Sequence, residues 1–127
     1  MKPKRGVSLI ETMMAIALLA IIVVSILSAF SAITIAAARH RQSTTLDLLT
    51  RSDAEYIKSQ AYSPSPAAYT NLAAAGYTFS YQVLYYDSTQ TPPFAAAYAD
   101  NGLQELVLTV SGPNGSREVL DFLKVQP

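Results

Sequence analysis

A single carboxylate, Glu11, stands at the start of an uncharged run that extends from Thr12 to Ala38. An acidic side chain within a membrane helix costs about 2.5–3.5 kcal/mol at the bilayer centre, and less near the helix end. Two interpretations of Glu11 are open. It can be a tolerated polar residue among lipid headgroups, or it can be an ion-pairing group that awaits a positively charged partner.

The uncharged run is long enough to cross a membrane. It contains 27 residues, and a helix of that length spans roughly 40 Å because each residue rises about 1.5 Å. The hydrocarbon core of a bilayer is about 30 Å thick and needs about 20 apolar residues. Lys2, Lys4 and Arg5 precede the run and Arg39-His40-Arg41 follows it. The charge before the run predicts that the N-terminus lies in the cytoplasm and the C-terminal part on the outer face of the membrane.

The residues from Gly6 to Glu11, with a short basic segment before them and a long apolar run after them, resemble the N-terminus of type IV pilins and pseudopilins. The resemblance covers roughly residues 1–35. It implies that a prepilin peptidase cuts between Gly6 and Val7 and methylates the new α-amine of Val7. It also implies that Glu11 acts in assembly, by pairing with the methylated amine of Val7 on an adjacent subunit and setting the axial register.

Two departures from the family pattern bear on the type of subunit. Val7 stands where the family most often has phenylalanine, and Ala20 and Ser28 stand where many major pilins have helix-loosening glycine and proline. These departures favour a minor pilin or pseudopilin of a pilus, a type II secretion system or a DNA-uptake machine. The implied partners are the prepilin peptidase, other pilin-like subunits, the inner-membrane assembly platform and membrane lipid.

Two interpretations outside this family remain open. The chain can be a bitopic membrane protein whose outer domain binds a protein partner. It can also be a secreted protein that is cut near residue 38, because Ala36-Ala37-Ala38 imitates a small-residue cleavage site. An ordinary secretory signal, however, has an apolar region of only about 7–15 residues.

Composition favours a structural protein. The chain has 127 residues and no cysteine, which leaves room for one small domain and excludes a disulfide framework. Removal of the three leader cations would leave six cationic against nine acidic side chains, a balance without the basic footprint of a nucleic-acid-binding protein. The sequence has no recognisable catalytic motif, and its one histidine, His40, lacks neighbours at metal-ligand spacing. We expect no enzyme activity, small-molecule substrate, cofactor or metal.

Beyond Ala38 the sequence changes from apolar to amphipathic, and neither glycine nor proline interrupts it before about Ala61. This pattern predicts one helix of about 55 residues that ends before the proline-containing segment 62–66. Leu46, Leu49 and Ile57 share one face of its C-terminal half. That face must be covered, and a sheet packed on it would do so.

Three strands are predicted, at residues 77–86, 105–111 and 117–125. The last two are joined by Gly112-Pro-Asn-Gly115, which is a strong hairpin signal. The tyrosine-rich first strand can pack on the helix or offer an aromatic binding surface. In the long connection 87–102 and its neighbour Glu105, oxygens of Asp100, Asn101 and Glu105 could in principle bind calcium. Their spacing matches no established calcium loop, however, and Asn101-Gly102 is first of all a turn signal.

The predicted fold is therefore α+β, a long N-terminal helix with a small antiparallel sheet of about three strands packed on its outer half. The predicted segments are a cleaved leader at 1–6, a transmembrane and assembly half of the helix at 7–38, an amphipathic half at 39–62 and a sheet-forming head at 63–127.

Overall fold

The computed structural model describes residues 6–127, so the leader cations Lys2, Lys4 and Arg5 lie outside the described residues. The helix α1 spans Leu9–Ser59, and four strands follow: β1 (Thr78–Tyr86), β2 (Phe94–Ala95), β3 (Leu103–Ser111) and β4 (Arg117–Val125). The chain divides into two compact units, Met1–His40 and Arg41–Pro127.

In the first unit, α1 is continuous and its side chains are exposed. Two of its hydroxyl groups bond within the helix: Ser25 Oγ donates to the Ile21 carbonyl at 2.7 Å, and Thr34 Oγ1 donates to the Phe30 carbonyl at 2.9 Å. Such internal bonds let polar residues sit in an apolar environment. By length and composition α1 contains a segment suited to cross a membrane, and none of that segment is buried.

In the second unit, the strands form one antiparallel sheet in the order β2-β1-β3-β4. The three predicted strands are confirmed, with β3 starting at Leu103 instead of residue 105. The prediction missed β2, a two-residue strand in which Ala95 and Phe94 pair with Tyr85 and Tyr86. Two residues are too few to show the alternation by which strands are recognised in a sequence.

The hairpin turn between β3 and β4 forms as predicted. Residues Pro113–Gly115 make a short 3-10 turn in which Asn114 has φ 61°, a left-handed conformation that asparagine tolerates better than most residues. Gly112 N donates to the Ser116 carbonyl at 2.8 Å and closes the turn. Gln42 of α1 donates to the Pro113 carbonyl and, at 3.0 Å, to Ser116 Oγ. The helix therefore holds the turn that joins the last two strands.

The core lies between the second half of α1 and one face of the sheet. The prediction that Leu46 and Ile57 face the sheet is confirmed. Leu49 is only half-buried, and Tyr56 remains 40% exposed. Thr50 and Ala54 are buried instead, because they lie on the side of α1 that is turned to the strands. The apolar residues that pack there from the sheet are Phe79, Tyr81, Val83, Leu106, Leu108, Val110, Leu120 and Phe122.

Candidate processing and assembly site

Residues Gly6, Val7 and Ser8 precede α1 and adopt no regular structure. The side chain of Val7 is 71% exposed, and a Cβ added at Gly6 would meet no atom within 4 Å. The fold therefore places no demand for glycine at position 6. The peptide bond between Gly6 and Val7 lies in exposed, non-helical backbone, the kind of segment that proteases reach most easily.

Ser8 caps the start of α1. Its Oγ accepts a hydrogen bond from Glu11 N at 3.2 Å, and its carbonyl accepts from Thr12 N at 3.1 Å and from Thr12 Oγ1 at 3.3 Å. A serine at the N-cap satisfies one of the amides that a helix leaves without a partner at its start. We did not predict this role from the sequence, although serine followed by glutamate three residues later is a recognisable capping pattern.

Glu11 is the third residue of α1 and is exposed. Its carboxylate lies in the first helical turn, where the partial positive charge of the helix start favours an anion. The two ion pairs recorded for residues 6–127 are Asp47–Arg51 at 2.9 Å and Glu55–Lys58 at 3.0 Å, so Glu11 forms none within the described chain. Its charge is available to a group on another molecule.

The helix after Glu11 presents an apolar surface on all sides. The large apolar side chains from Leu9 to Ile35 range from 47% exposed, at Val23, to 81% exposed, at Leu9. Contiguous apolar surface of this extent marks a contact with lipid or with other proteins. The start of the chain therefore combines an exposed peptide bond, an unpaired carboxylate and an apolar helix that fits a membrane anchor.

The connection before β3 contains Asp100 and Asn101, two of the three possible calcium ligands. The Asp100 carboxylate accepts four hydrogen bonds: from Tyr62 Oη and Gly102 N at Oδ1, and from Ser65 N and Gln104 Nε2 at Oδ2, the last three at 3.0 Å. Burial raises the pKa of Asp100, but these hydrogen bonds together lower it below its usual value. A calcium ion would have to displace the donors.

The other two possible calcium ligands, Asn101 and Glu105, are not arranged around Asp100 as a metal site. Asn101 Nδ2 donates to the Tyr86 carbonyl at 2.7 Å, and Asn101 Oδ1 accepts from Leu103 N at 3.3 Å. Glu105 lies on the face of β3 opposite to Gln104. Within residues 6–127 no cluster of three histidine or acidic side chains is placed to hold a metal ion. Asp100 instead ties the segment after α1 to the start of β3.

Tyr81 and Tyr85 of β1 lie on the face that packs on α1 and hold the segment that follows α1. Tyr81 Oη accepts from Tyr69 N at 2.8 Å, and Tyr85 Oη accepts from Ala67 N at 3.4 Å. Tyr69 Oη in turn donates to Gln104 Oε1 at 2.8 Å. Of the two interpretations of the tyrosine-rich strand, packing is therefore confirmed.

Comparison with known families identifies one match. The sequence model described as the prokaryotic N-terminal methylation motif matches residues 1–27. Comparisons with curated proteins and with solved structures find no match. The match ends within the apolar part of α1, so it concerns the start of that helix and the residues before it.

Proposed function

We propose that this chain, whose first 27 residues carry the motif that marks type IV pilin-like proteins, is a minor pilin or pseudopilin. A prepilin peptidase cleaves and N-methylates it, and it is then assembled into a type IV pilus-like or type II secretion-like filament. The observation that carries the proposal is the matched motif on an exposed Gly6–Val7 bond ahead of a capped apolar helix.

Processing uses the residues before α1. The peptidase cuts the bond between Gly6 and Val7, and the α-amine that this creates on Val7 receives the methyl group. Because a Cβ at Gly6 would meet open space, a requirement for glycine there would arise in the peptidase site and not in the fold of the substrate.

Assembly uses Glu11. In a bundle of apolar helices an unpaired carboxylate is costly, and removing one partner of a buried ion pair costs about 3–5 kcal/mol. The methylated α-amine of Val7 on a neighbouring subunit is a cation suited to pair with Glu11. The pair would be satisfied only when the two helices stand in one axial register, so it selects register as well as adding affinity.

The location of the chain in the cell follows from the leader and the apolar part of α1. Before assembly, the apolar part of α1 holds the chain in the inner membrane, with the leader in the cytoplasm and the sheet-containing unit outside. After cleavage the helix leaves lipid for contacts with other pilin-like subunits, with help from the inner-membrane assembly platform. The role is structural, and it needs no substrate beyond the peptidase reaction that the chain itself undergoes.

The experiment that tests this function is the intact mass and N-terminal peptide of the protein purified from its native membrane. A chain that begins at Val7 and carries one extra methyl group is the expected result. A chain that begins at Met1, in a cell that contains the peptidase, would contradict the proposal and favour a bitopic membrane protein. A start near Arg39 would identify a secreted protein and remove the basis for assembly through Glu11.

A further inference from the structure

The β4 strand forms an open edge of the sheet. It is nine residues long and pairs with β3 in an unbroken register from Arg117 opposite Ser111 to Val125 opposite Leu103. The other edge is β2, which has two residues and follows Pro92-Pro93. Proteins commonly protect sheet edges by shortening them, bulging them, adding proline or placing charged side chains on them. The β2 edge is short and follows two prolines, whereas β4 is long and unbulged and has only charged side chains as protection. Such charges disfavour indiscriminate pairing but accept a strand of complementary charge.

The hydrogen-bonding groups at this edge belong to the odd-numbered residues of β4. At the two ends of the β3–β4 pair, Gly112 N bonds the Ser116 carbonyl and Gln126 N bonds the Gly102 carbonyl, both at 2.8 Å. Opposing pairs in an antiparallel ladder alternate between bonded and non-bonded. The even-numbered residues of β4 therefore bond β3, and the odd-numbered residues direct their N–H and C=O groups away from it.

The side chains of the same odd-numbered residues are all exposed. Val119 is 49%, Leu123 57% and Val125 64% exposed. Between the first two lies Asp121, which forms no ion pair among residues 6–127. The edge thus presents backbone donors and acceptors in a single row, with Arg117 at its start and one unneutralised carboxylate between apolar side chains.

We propose that the β4 edge binds an extended strand of a different polypeptide that places lysine or arginine opposite Asp121, between apolar residues. Main-chain hydrogen bonds to the odd-numbered residues would supply affinity, and the pairs beside Asp121 would supply specificity. This surface lies in the unit Arg41–Pro127, so the proposal does not rest on N-terminal processing or on the proposed function.

Charge argues against a second copy of this chain as the occupant. Two β4 strands in full register, parallel or antiparallel, would place Asp121 opposite Asp121, and like charges directly opposite each other destabilise a sheet. The antiparallel register that sets Arg117 opposite Asp121 would pair residues 117–121 only and leave Leu123 and Val125 uncovered. A different chain with a central cation satisfies the whole edge.

The test uses the full chain in detergent micelles and a synthetic nine-residue peptide of alternating threonine and valine with a central lysine. The matched control peptide has a central glutamate. Amide hydrogen exchange is measured by NMR with and without each peptide. With the lysine peptide, exchange at Val119, Asp121 and Leu123 should slow by at least about fivefold. The even-numbered amides, already bonded to β3, should change little.

Two variants separate edge pairing from binding to the face of the sheet. Asp121→Lys should reverse the preference, so that the glutamate peptide protects the odd-numbered amides better than the lysine peptide. Leu84→Gln, which changes the same face of the sheet on β1 but not the edge, should leave protection unchanged. A loss of binding in Leu84→Gln would show that the peptide lies on the face, against the proposal.

The remaining outcomes also decide the question. Absence of protection with the lysine peptide would overturn the edge as a binding site. Equal protection by both peptides would remove the role of Asp121. Protection that appears without peptide and grows with protein concentration would identify a second copy as the occupant, contrary to the proposal.

Discussion

The Lys124 ammonium lies 2.6 Å from the Gln60 carbonyl oxygen, so a lysine near the end of β4 binds the chain where it leaves α1. The same Nζ also donates to the carbonyls of Ile57 at 3.0 Å and Lys58 at 3.1 Å, and it lies 5.2 Å from the centre of the Tyr69 ring. The last carbonyls of a helix lack intrahelical partners and carry partial negative charge. Lys124 satisfies three carbonyls there, and burial lowers its pKa.

Replacing Lys124 by methionine should destabilise the Arg41–Pro127 unit by about 2 kcal/mol, because buried carbonyls lose a charged donor while the apolar stem is kept. All eight tyrosines lie beyond residue 40, so the near-ultraviolet circular dichroism of tyrosine reports unfolding of this unit in urea. Lys58→Met is the matched control, since Lys58 forms an exposed pair with Glu55, and it should cost no more than about 0.5 kcal/mol. Equal losses would contradict the capping role of Lys124.

Asp53 should make the stability of the same unit depend on pH. Its side chain is fully buried; Oδ1 accepts from Leu72 N at 2.6 Å and Oδ2 is a buried oxygen without a hydrogen-bond donor. Burial raises the pKa of Asp53 above 3.8, against the lowering effect of the Leu72 bond. The native state therefore binds the proton more tightly than the unfolded state. Protonation of Asp53 stabilises the native state fully below about pH 3.8, and this stabilisation is lost as pH rises through the native pKa.

The Asp53→Asn variant should consequently be more stable than the parent chain at pH 7, by about 1 kcal/mol, and nearly equal to it at pH 3. Urea unfolding at a series of pH values measures the difference. Asp47→Asn, on the solvent side of α1 and paired with Arg51 at 2.9 Å, serves as control and should not gain stability at neutral pH. A less stable Asp53→Asn protein at every pH would mean that the carboxylate itself is needed.

Asp100→Ala should destabilise the unit by about 2–3 kcal/mol, because four donors lose a charged acceptor. The pKa of Asp100 is lowered in the native state. The stabilisation that the Asp100 carboxylate gives the native state is therefore fully present above the unfolded-state pKa of about 3.8. It is lost as pH falls through the native pKa. Asp87→Ala removes a carboxylate that bonds only Thr89 in an exposed turn, and it should cost less. Urea titration at neutral pH compares the two variants.

Calcium should leave the unfolding midpoint of the parent chain unchanged. A ligand that binds only the native state raises that midpoint, but the Asp100 oxygens already accept hydrogen bonds from donors that would oppose a cation. The measurement compares thermal unfolding in millimolar calcium and in chelator. If calcium raised the midpoint of the parent chain but not that of Asp100→Ala, the connection before β3 would be a calcium site.

Glu11→Ala should leave membrane insertion and cleavage intact and reduce incorporation into filaments. Loss of about 3–5 kcal/mol from a buried pair corresponds to more than about 100-fold in a subunit affinity. Ser8→Ala is the matched control. It removes the cap on the Glu11 amide, which should cost about 1 kcal/mol of helix stability, but it keeps the Glu11 carboxylate. The ratio of chain in sheared filaments to chain in membranes measures the effect. Normal incorporation of Glu11→Ala would rule out pairing through this carboxylate.

The elements that follow from local pattern were predictable. The absence of glycine and proline from Val7 to Ala61 predicts the uninterrupted helix, which in the structure ends at Ser59. Alternation predicts β1, and Pro-Asn-Gly predicts the hairpin. The residues around Gly6 and Glu11 stand in a motif whose spacing is fixed along the chain, so no tertiary information is needed to find them.

The sequence by itself determined the long apolar helix, the N-terminal methylation motif and the number of long strands, because each depends on residues close together in the chain. Tertiary structure alone decided that Asp100 is held by Tyr62 and Ser65, that Asp53 is buried, and that Lys124 binds the end of α1. These contacts join residues far apart in sequence, so neither charge nor periodicity marks them beforehand. A lysine on a strand is expected in solvent, and only the packing of that strand against the helix end makes it a cap.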